Sequence, residues 1–172
     1  MLGLAALILA AAASPSPALA SASPWWEKFT FTYDGDGSQQ SCRYQTSLAM
    51  APAAAACDTD EPDSPSAHQA RVTTGSYTKI SIERRYTPGT QPEQVKLATG
   101  DTLLGGQVMA LAIDGAGAVR SCRVVGETGD VKAPYGCAEA RGERFEASAT
   151  RAAQLRHGFI TVLVYGHEEY PV

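Results

Sequence analysis

The sequence predicts an α+β protein assembled from two units, each running strand, strand, helix, strand. Three observations lead there. The first is a repeat: Asp34-Gly35-Asp36-Gly37-Ser38-Gln39-Gln40-Ser41-Cys42-Arg43 returns eighty positions on as Asp114-Gly115-Ala116-Gly117-Ala118-Val119-Arg120-Ser121-Cys122-Arg123. The pattern D-G-x-G-x-x-x-S-C-R is shared at every fixed position. The second is that the same offset relates the other two cysteines, Cys57 and Cys137. The third is that strand-like apolar runs flank both copies: Phe29, Phe31 and Tyr33 or residues 108–113 ahead, and residues 77–82 or 159–165 well behind. A period carrying turns, cysteines and strands together marks two diverged copies of one supersecondary unit. The expected layout is a leader over 1–20, a degenerate first unit with its connection over 21–100, and a second unit over 101–172.

The leader is a different material from the rest. Residues 2–13 are uncharged and apolar, Pro15 and Pro17 break the run, and Ala18-Leu19-Ala20 precedes Ser21. That is the h-region and A-x-A cleavage site of a secretory signal peptide, although the basic n-region is missing. A membrane anchor is the competing reading, but a span needs about 20 apolar residues and this run is shorter. The expected location is therefore the periplasm or the outside of the cell, with no membrane span once the leader is removed.

Residues 25–33 alternate with period two and are rich in aromatic and β-branched side chains, so they read as the first strand. Asp34, Gly35, Asp36 and Gly37 supply a hairpin turn, and residues 41–47 return as the second strand. Residues 49–56 are alanine-rich and read as a short helix crossed by Pro52. Residues 58–68 are acidic with two prolines and read as a surface loop. The third strand covers 77–86. Residues 87–100, with Pro88, Gly89 and Pro92, connect the copies. In the second unit, 107–113 are apolar on both faces, as in a covered central strand. Asp114 and Gly115 open the turn, 119–125 form the next strand, and 127–136 a loop. Residues 137–156 have helix-compatible composition weakened by Gly142, Phe145 belongs to the core, and 159–165 close the unit.

With 172 residues, 44% hydrophobic and 19% charged, the chain can bury a core. A net charge of −4 argues against a nucleic-acid partner, which would require phosphate-neutralising Lys and Arg. Four cysteines in an exported chain read as two disulfides. Three connectivities are open, and the repeat favours Cys42–Cys57 with Cys122–Cys137. Structural zinc prefers closely spaced C-x2-4-C pairs, which are absent.

Candidate chemistry is sparse. Asp34, Asp36 and Ser38 resemble the start of a calcium loop, but Gln39 and Gln45 stand where such a loop needs Gly and Glu. Ser76-Tyr77-Thr78-Lys79 fits S-x-x-K without the companion motifs. His157 and His167 flank one strand and lie roughly 33 Å apart at about 3.3 Å per residue, so they share no metal within one unit. His167 with Glu169 is a weak terminal metal pair, against the plainer reading of a solvated strand end. Arg84-Arg85 on the third strand either binds an anion or acidic partner or blunts an exposed edge. No nucleophile–base pair, phosphate loop or dinucleotide fingerprint is present. The expectation is a protein without enzymatic activity, metal or cofactor.

Residues 106–164 resemble the TonB C-terminal domain family of periplasmic energy transducers. The resemblance rests on Gly106-Gln107-Val108, the hairpin Ile113 to Val119, Val124-Val125-Gly126-Glu127-Thr128-Gly129 at the family's V-x-S-S-G element, and Phe145-Glu146-Ala147 at its F-x-P-A. Some members similar to this chain carry cysteines at the positions of Cys122 and Cys137. The resemblance implies antiparallel ββαβ sheets with a helix packed on one face, and partners bound by adding a strand to an open edge. The chain departs from the family in showing no retained membrane helix, no long Pro-rich spacer and no Tyr-Pro before the first strand. The expected function is thus a periplasmic, non-catalytic module that binds an envelope or outer-membrane protein by strand addition. The alternatives are an energy-transducing component for outer-membrane transport whose start is misassigned, and an envelope enzyme.

Overall fold

The computed structural model describes residues 20–34, 38–48, 57, 77–147 and 154–167. Alternation is the physical root of its first strand, β1 (Trp25–Tyr33): every second residue from Trp25 is buried and those between are half-buried. Among the described residues five further strands follow as β2 (Gln39–Thr46), β3 (Lys79–Pro88), β4 (Asp101–Ile113), β5 (Val119–Gly129) and β6 (Arg156–His167), with one short helix, α1 (Cys137–Gly142), between the last two. All six strands lie in a single sheet of order β2-β1-β3-β6-β4-β5, antiparallel at every junction.

The two hairpins share their register at the eighty-residue offset. Phe29 faces Tyr44 and Met109 faces Val124; Phe31 faces Cys42 and Leu111 faces Cys122; Thr32 faces Ser41 and Ala112 faces Ser121. The register slips before Tyr33–Gln39 in one hairpin and before Ile113–Val119 in the other. Next to this slip the same bonds close each turn. Asp34 N donates to Ser38 O at 3.0 Å and Asp114 N to Ala118 O at 2.9 Å, and each aspartate Oδ1 accepts from the same residue's N–H at 2.8 and 2.9 Å.

One face of the sheet is the main core. It carries Phe31, Ile80, Met109, Ile113, Ile160 and Val162 without exposure, one or more from each of the four inner strands. Phe145 caps this face from outside the sheet and packs on Tyr86 with ring centroids 4.8 Å apart. It reaches that position because the chain leaves the helix at Glu143 in an extended conformation and then bridges back, Arg144 to Ala118 and Phe145 to Ala20. The composition of 137–156 suggested a longer helix. Among the described residues it stops at Gly142, since continuing would carry Phe145 away from the pocket it fills.

The opposite face is partly roofed. β3 and β4 run in the same direction on either side of β6, so residues 89–100 must travel the length of the sheet. They do so across the face bearing Arg85, which reaches Glu93 at 3.4 Å, and Val95 and Leu97 are half-buried along the way. Beneath them Glu83, Thr161 and Tyr165 are buried, although they share the face opposite the main core.

Strand boundaries differ from the sequence reading where pairing overrides local composition. β4 begins at Asp101 rather than Gln107, and β5 runs on to Gly129 through glycines because Gly105 to Val108 supply it with partners. The leader over 1–19, Gly35 with Asp36 and Gly37, the expected helix at 49–56 and the acidic loop at 58–68 lie outside the described residues.

Candidate functional site

Two places in the sheet gather polar chemistry. The first is the seam between the halves, where β3 meets β6. Arg84 has the same parity along β3 as Ile80, Ile82 and Tyr86, so its side chain enters the core face and is 17% exposed. There it donates from Nε to Glu27 Oε1 at 2.6 Å and from Nη1 to Glu143. Its guanidinium also lies 5.0 Å from the Trp25 ring and 4.3 Å from the Tyr135 ring. Tyr44 donates to Glu27 at 3.0 Å and Tyr135 to Glu143 at 2.7 Å, closing the ring of contacts. Burial works against the charge on Arg84. The Glu27 carboxylate and then Glu143 outweigh it and hold the guanidinium above its ordinary range. Burial pushes the Tyr44 phenol up to about 12, with the Glu27 charge adding to it. It also raises Tyr135, where Arg84 opposes and Glu143 reinforces.

This corrects both sequence readings of Arg84-Arg85. β3 is an inner strand, so no edge is blunted there. Arg84 is committed to two internal carboxylates. Arg85, on the other face, pairs with Glu83 and Glu93, and Glu83 also accepts from Tyr165 at 2.9 Å. Residues from both halves build the seam cluster: Glu27, Tyr44 and Arg84 from one, Tyr135 and Glu143 from the other. Sequence reasoning missed Glu27, yet its signal was present. It shares parity with Trp25, Phe29 and Phe31, so an acid stood in a core-facing row and required a cation.

The remaining sequence candidates resolve simply. Cys42 is bonded to Cys57 and Cys122 to Cys137. The second bridge fastens α1 to β5. Asp34 spends its carboxylate on Ser38 N–H and the Gln40 amide, and Asp114 on Ala116, Ala118 and Arg120. The Ala118 amide, opposed by desolvation and helped by Arg120, holds the Asp114 carboxyl below the usual carboxylate range. Gly115 sits in the turn, but the positive φ there (85°) belongs to Gly117. A Cβ on Gly117 would stand 1.8 Å from Phe145 O, so the turn and the Phe145 segment touch through bare backbone. His167 pairs with Asp101 at 3.1 Å. Ser76 and Glu169 lie outside the described residues.

Comparison with known protein families, with characterised proteins and with solved structures gives no match for this chain.

The second place is the pair of outer strands. Among the described residues, β2 and β5 each pair on one side only. On β5 every residue from Arg123 to Gly129 is exposed, with Val124 at 38% and Val125 at 45%. Val124 faces Met109 and Gly126 faces Val108, so Val125 is an extra, bulged residue. The backbone groups on the outer side of such a strand have no ladder partner, and a further strand can take them. Among the described residues, no helix is long and apolar enough to cross a membrane.

Proposed function

We propose that the protein is an extracytoplasmic binding module without catalytic activity, built from two ββαβ units of TonB C-terminal type, that takes up an extended partner segment as an added strand on β5. The shared hairpin register, the matching turn bonds and the equal disulfide loops of 15 residues support the duplication. The disulfides and the apolar leader of the sequence support an oxidising compartment. The observation that carries the binding reading is the long exposed run on β5, an outer strand with two uncovered valines. Natural proteins blunt or cover such edges unless a partner uses them.

Among the described strands, pairing of β3 with β6 leaves the hairpin strands β2 and β5 at the edges, because each half's last strand is already covered by the other's. A photo-crosslinking residue at Val125 in the intact envelope tests this, with the same residue at Lys96 on the roof segment as reference. The expected result is a discrete adduct from position 125 that Val124→Lys weakens and that position 96 does not give. Equal adducts from both positions, or none from position 125, would refute edge binding. Capture of an outer-membrane transporter would join the module to energy transduction.

A further inference from the structure

The repeated motif contains two residues that the fold does not use. Its aspartates close the turns, Gly117 admits the Phe145 backbone, and its cysteines form the bridges. Its Ser and Arg do neither. Ser41 and Arg43 lie on β2, Ser121 and Arg123 on β5, all four exposed. Among the described residues neither Arg43 nor Arg123 has an ion-pair or hydrogen-bond partner. Two halves that differ at most positions have kept a serine and an arginine, two residues apart, on the outer strand of each hairpin.

Their placement is also shared. Arg43 faces Thr30 and Arg123 faces Ala110, so both point to the sheet face opposite the disulfides, beside the unpaired backbone of an outer strand. Five strand spacings of about 4.8 Å across the sheet, with the six residues from Phe159 to Tyr165 that separate their levels along β6, set the two sites roughly 31 Å apart. A guanidinium presents a fork of N–H donors that a carboxylate matches with two parallel bonds, and a hydroxyl two residues along the same face adds a third donor. A strand laid against β5 or β2 brings every second side chain onto this face.

Resting on the strand-addition reading, we infer that Arg123 with Ser121, and Arg43 with Ser41, are equivalent receptor points for the carboxylate of an extended acidic polypeptide segment, one at each outer edge of the sheet. The partner is then a chain carrying Asp or Glu at alternate positions, and one protein offers it two sites. The protein's net charge of −4 would repel such a partner elsewhere, which directs it to these local cations.

The test titrates the full-length, 15N-labelled protein with a short capped peptide alternating glutamate and valine, and with its glutamine–valine and lysine–valine counterparts. The expected result is shift changes on β5 and on β2 from the glutamate peptide. Arg123→Gln should weaken the β5 set roughly ten-fold, the loss of one charge-assisted bond, and Arg43→Gln the β2 set alike. Arg141→Gln on α1 serves as an exposed control that changes neither. Raising the salt should weaken the glutamate peptide and spare the glutamine one. If glutamate and glutamine peptides bind the edges alike, strand addition stands and the arginine assignment falls. If shifts appear on β5 alone, the equivalence of the two sites falls. If none of the peptides shifts either edge, both the assignment and the strand-addition reading fall.

Discussion

Replacing Arg84 with methionine removes the guanidinium while keeping most of the stem, and it strands two carboxylates. Glu27 and Glu143 are 11% and 17% exposed at their side chains and share Arg84 as their cation. Removing one partner of a buried ion pair leaves an uncompensated charge and costs about 3–5 kcal/mol. Here two acids lose their partner at once, so the upper part of that range applies, a large share of the roughly 5–15 kcal/mol that holds a typical domain together. The reverse changes behave differently. Glu27→Gln leaves Arg84 balanced by Glu143, and Glu143→Gln leaves it balanced by Glu27, so each single change should cost about 1 kcal/mol, the scale of one hydrogen bond. The triple variant Arg84→Met, Glu27→Gln, Glu143→Gln removes all charge and should recover much of what Arg84→Met loses. Urea unfolding followed by tryptophan fluorescence reads this directly, because Trp25 lies 5.0 Å from the guanidinium. The midpoints are compared at unchanged slope. If Arg84→Met lies within 1 kcal/mol of the parent, or the triple variant is no better than Arg84→Met, the charge argument is wrong and the cluster is mere packing.

Phe145→Ala should cost about 3–5 kcal/mol, since the ring has no exposure and packs on Tyr86, whereas Leu155→Ala, at a residue 52% exposed, should stay within about 0.5 kcal/mol; thermal melts of the two separate them. The paired change Cys122→Ser with Cys137→Ser opens a loop of 15 residues and should cost on the order of 3 kcal/mol, and proteolysis should then cut first between β5 and Phe145. Alkaline unfolding should track the tyrosines. Burial raises the phenols of Tyr44, Tyr135 and Tyr165, so their contribution is whole below the unfolded value near pH 10 and is lost as pH climbs through the folded values, about 12 for Tyr44. Absorbance at the tyrosinate band should show a first group titrating normally and a second appearing only with loss of the circular dichroism signal; a single smooth titration of all seven tyrosines before unfolding would contradict the burial.

The parts of the fold legible in the sequence were those written in local periodicity. β1 occupies the residues its alternation marked, whereas the connection expected over 87–100 is strand-free only from Gly89 on, because β3 runs to Pro88 by pairing Thr87 and Pro88 with Phe159 and Gly158 of β6. What stayed hidden was decided by partners distant in the chain. Gly126 to Gly129 have poor strand propensity and are strand only because Gly105 to Val108 lie beside them. Helix propensity beyond Gly142 lost, over the described residues, to the burial of Phe145. Arg84 illustrates the limit for the candidate site. Its parity pointed inward, but the acids that make that tolerable are 57 and 59 positions away, and strand order, which parity does not reveal, turned an expected edge into the centre of the sheet. The exposed run on β5 was hidden for the same reason, since which strands end a sheet depends on how the halves join.

On the proposed duplication, the join accounts for the seam holding one arginine and not two. Glu27 faces Arg84 where β1 meets β3, and at the eighty-residue offset Gln107 faces Val162 where β4 meets β6. Arg84 and Val162 are therefore counterparts, and across the seam they face each other. In a dimer of identical units the residue at that point would meet its own copy, because a twofold axis pairs it with itself. An arginine there would confront an arginine in a mostly buried site, with two acids on each side competing for the same space. On the duplication proposed above, carrying both copies in one chain lifts that restriction. One half can carry the cation with Glu27, the other a valine opposite it and the second acid, Glu143, and the pair costs neither like-charge repulsion nor a second set of buried ions. The hairpins have no such meeting point, and there the register, the turn bonds and the Ser-Cys-Arg run are held in common. Divergence at the axis alongside sameness at the edges is what a duplicated sheet should show if the axis serves only to hold the halves together and the edges meet something else.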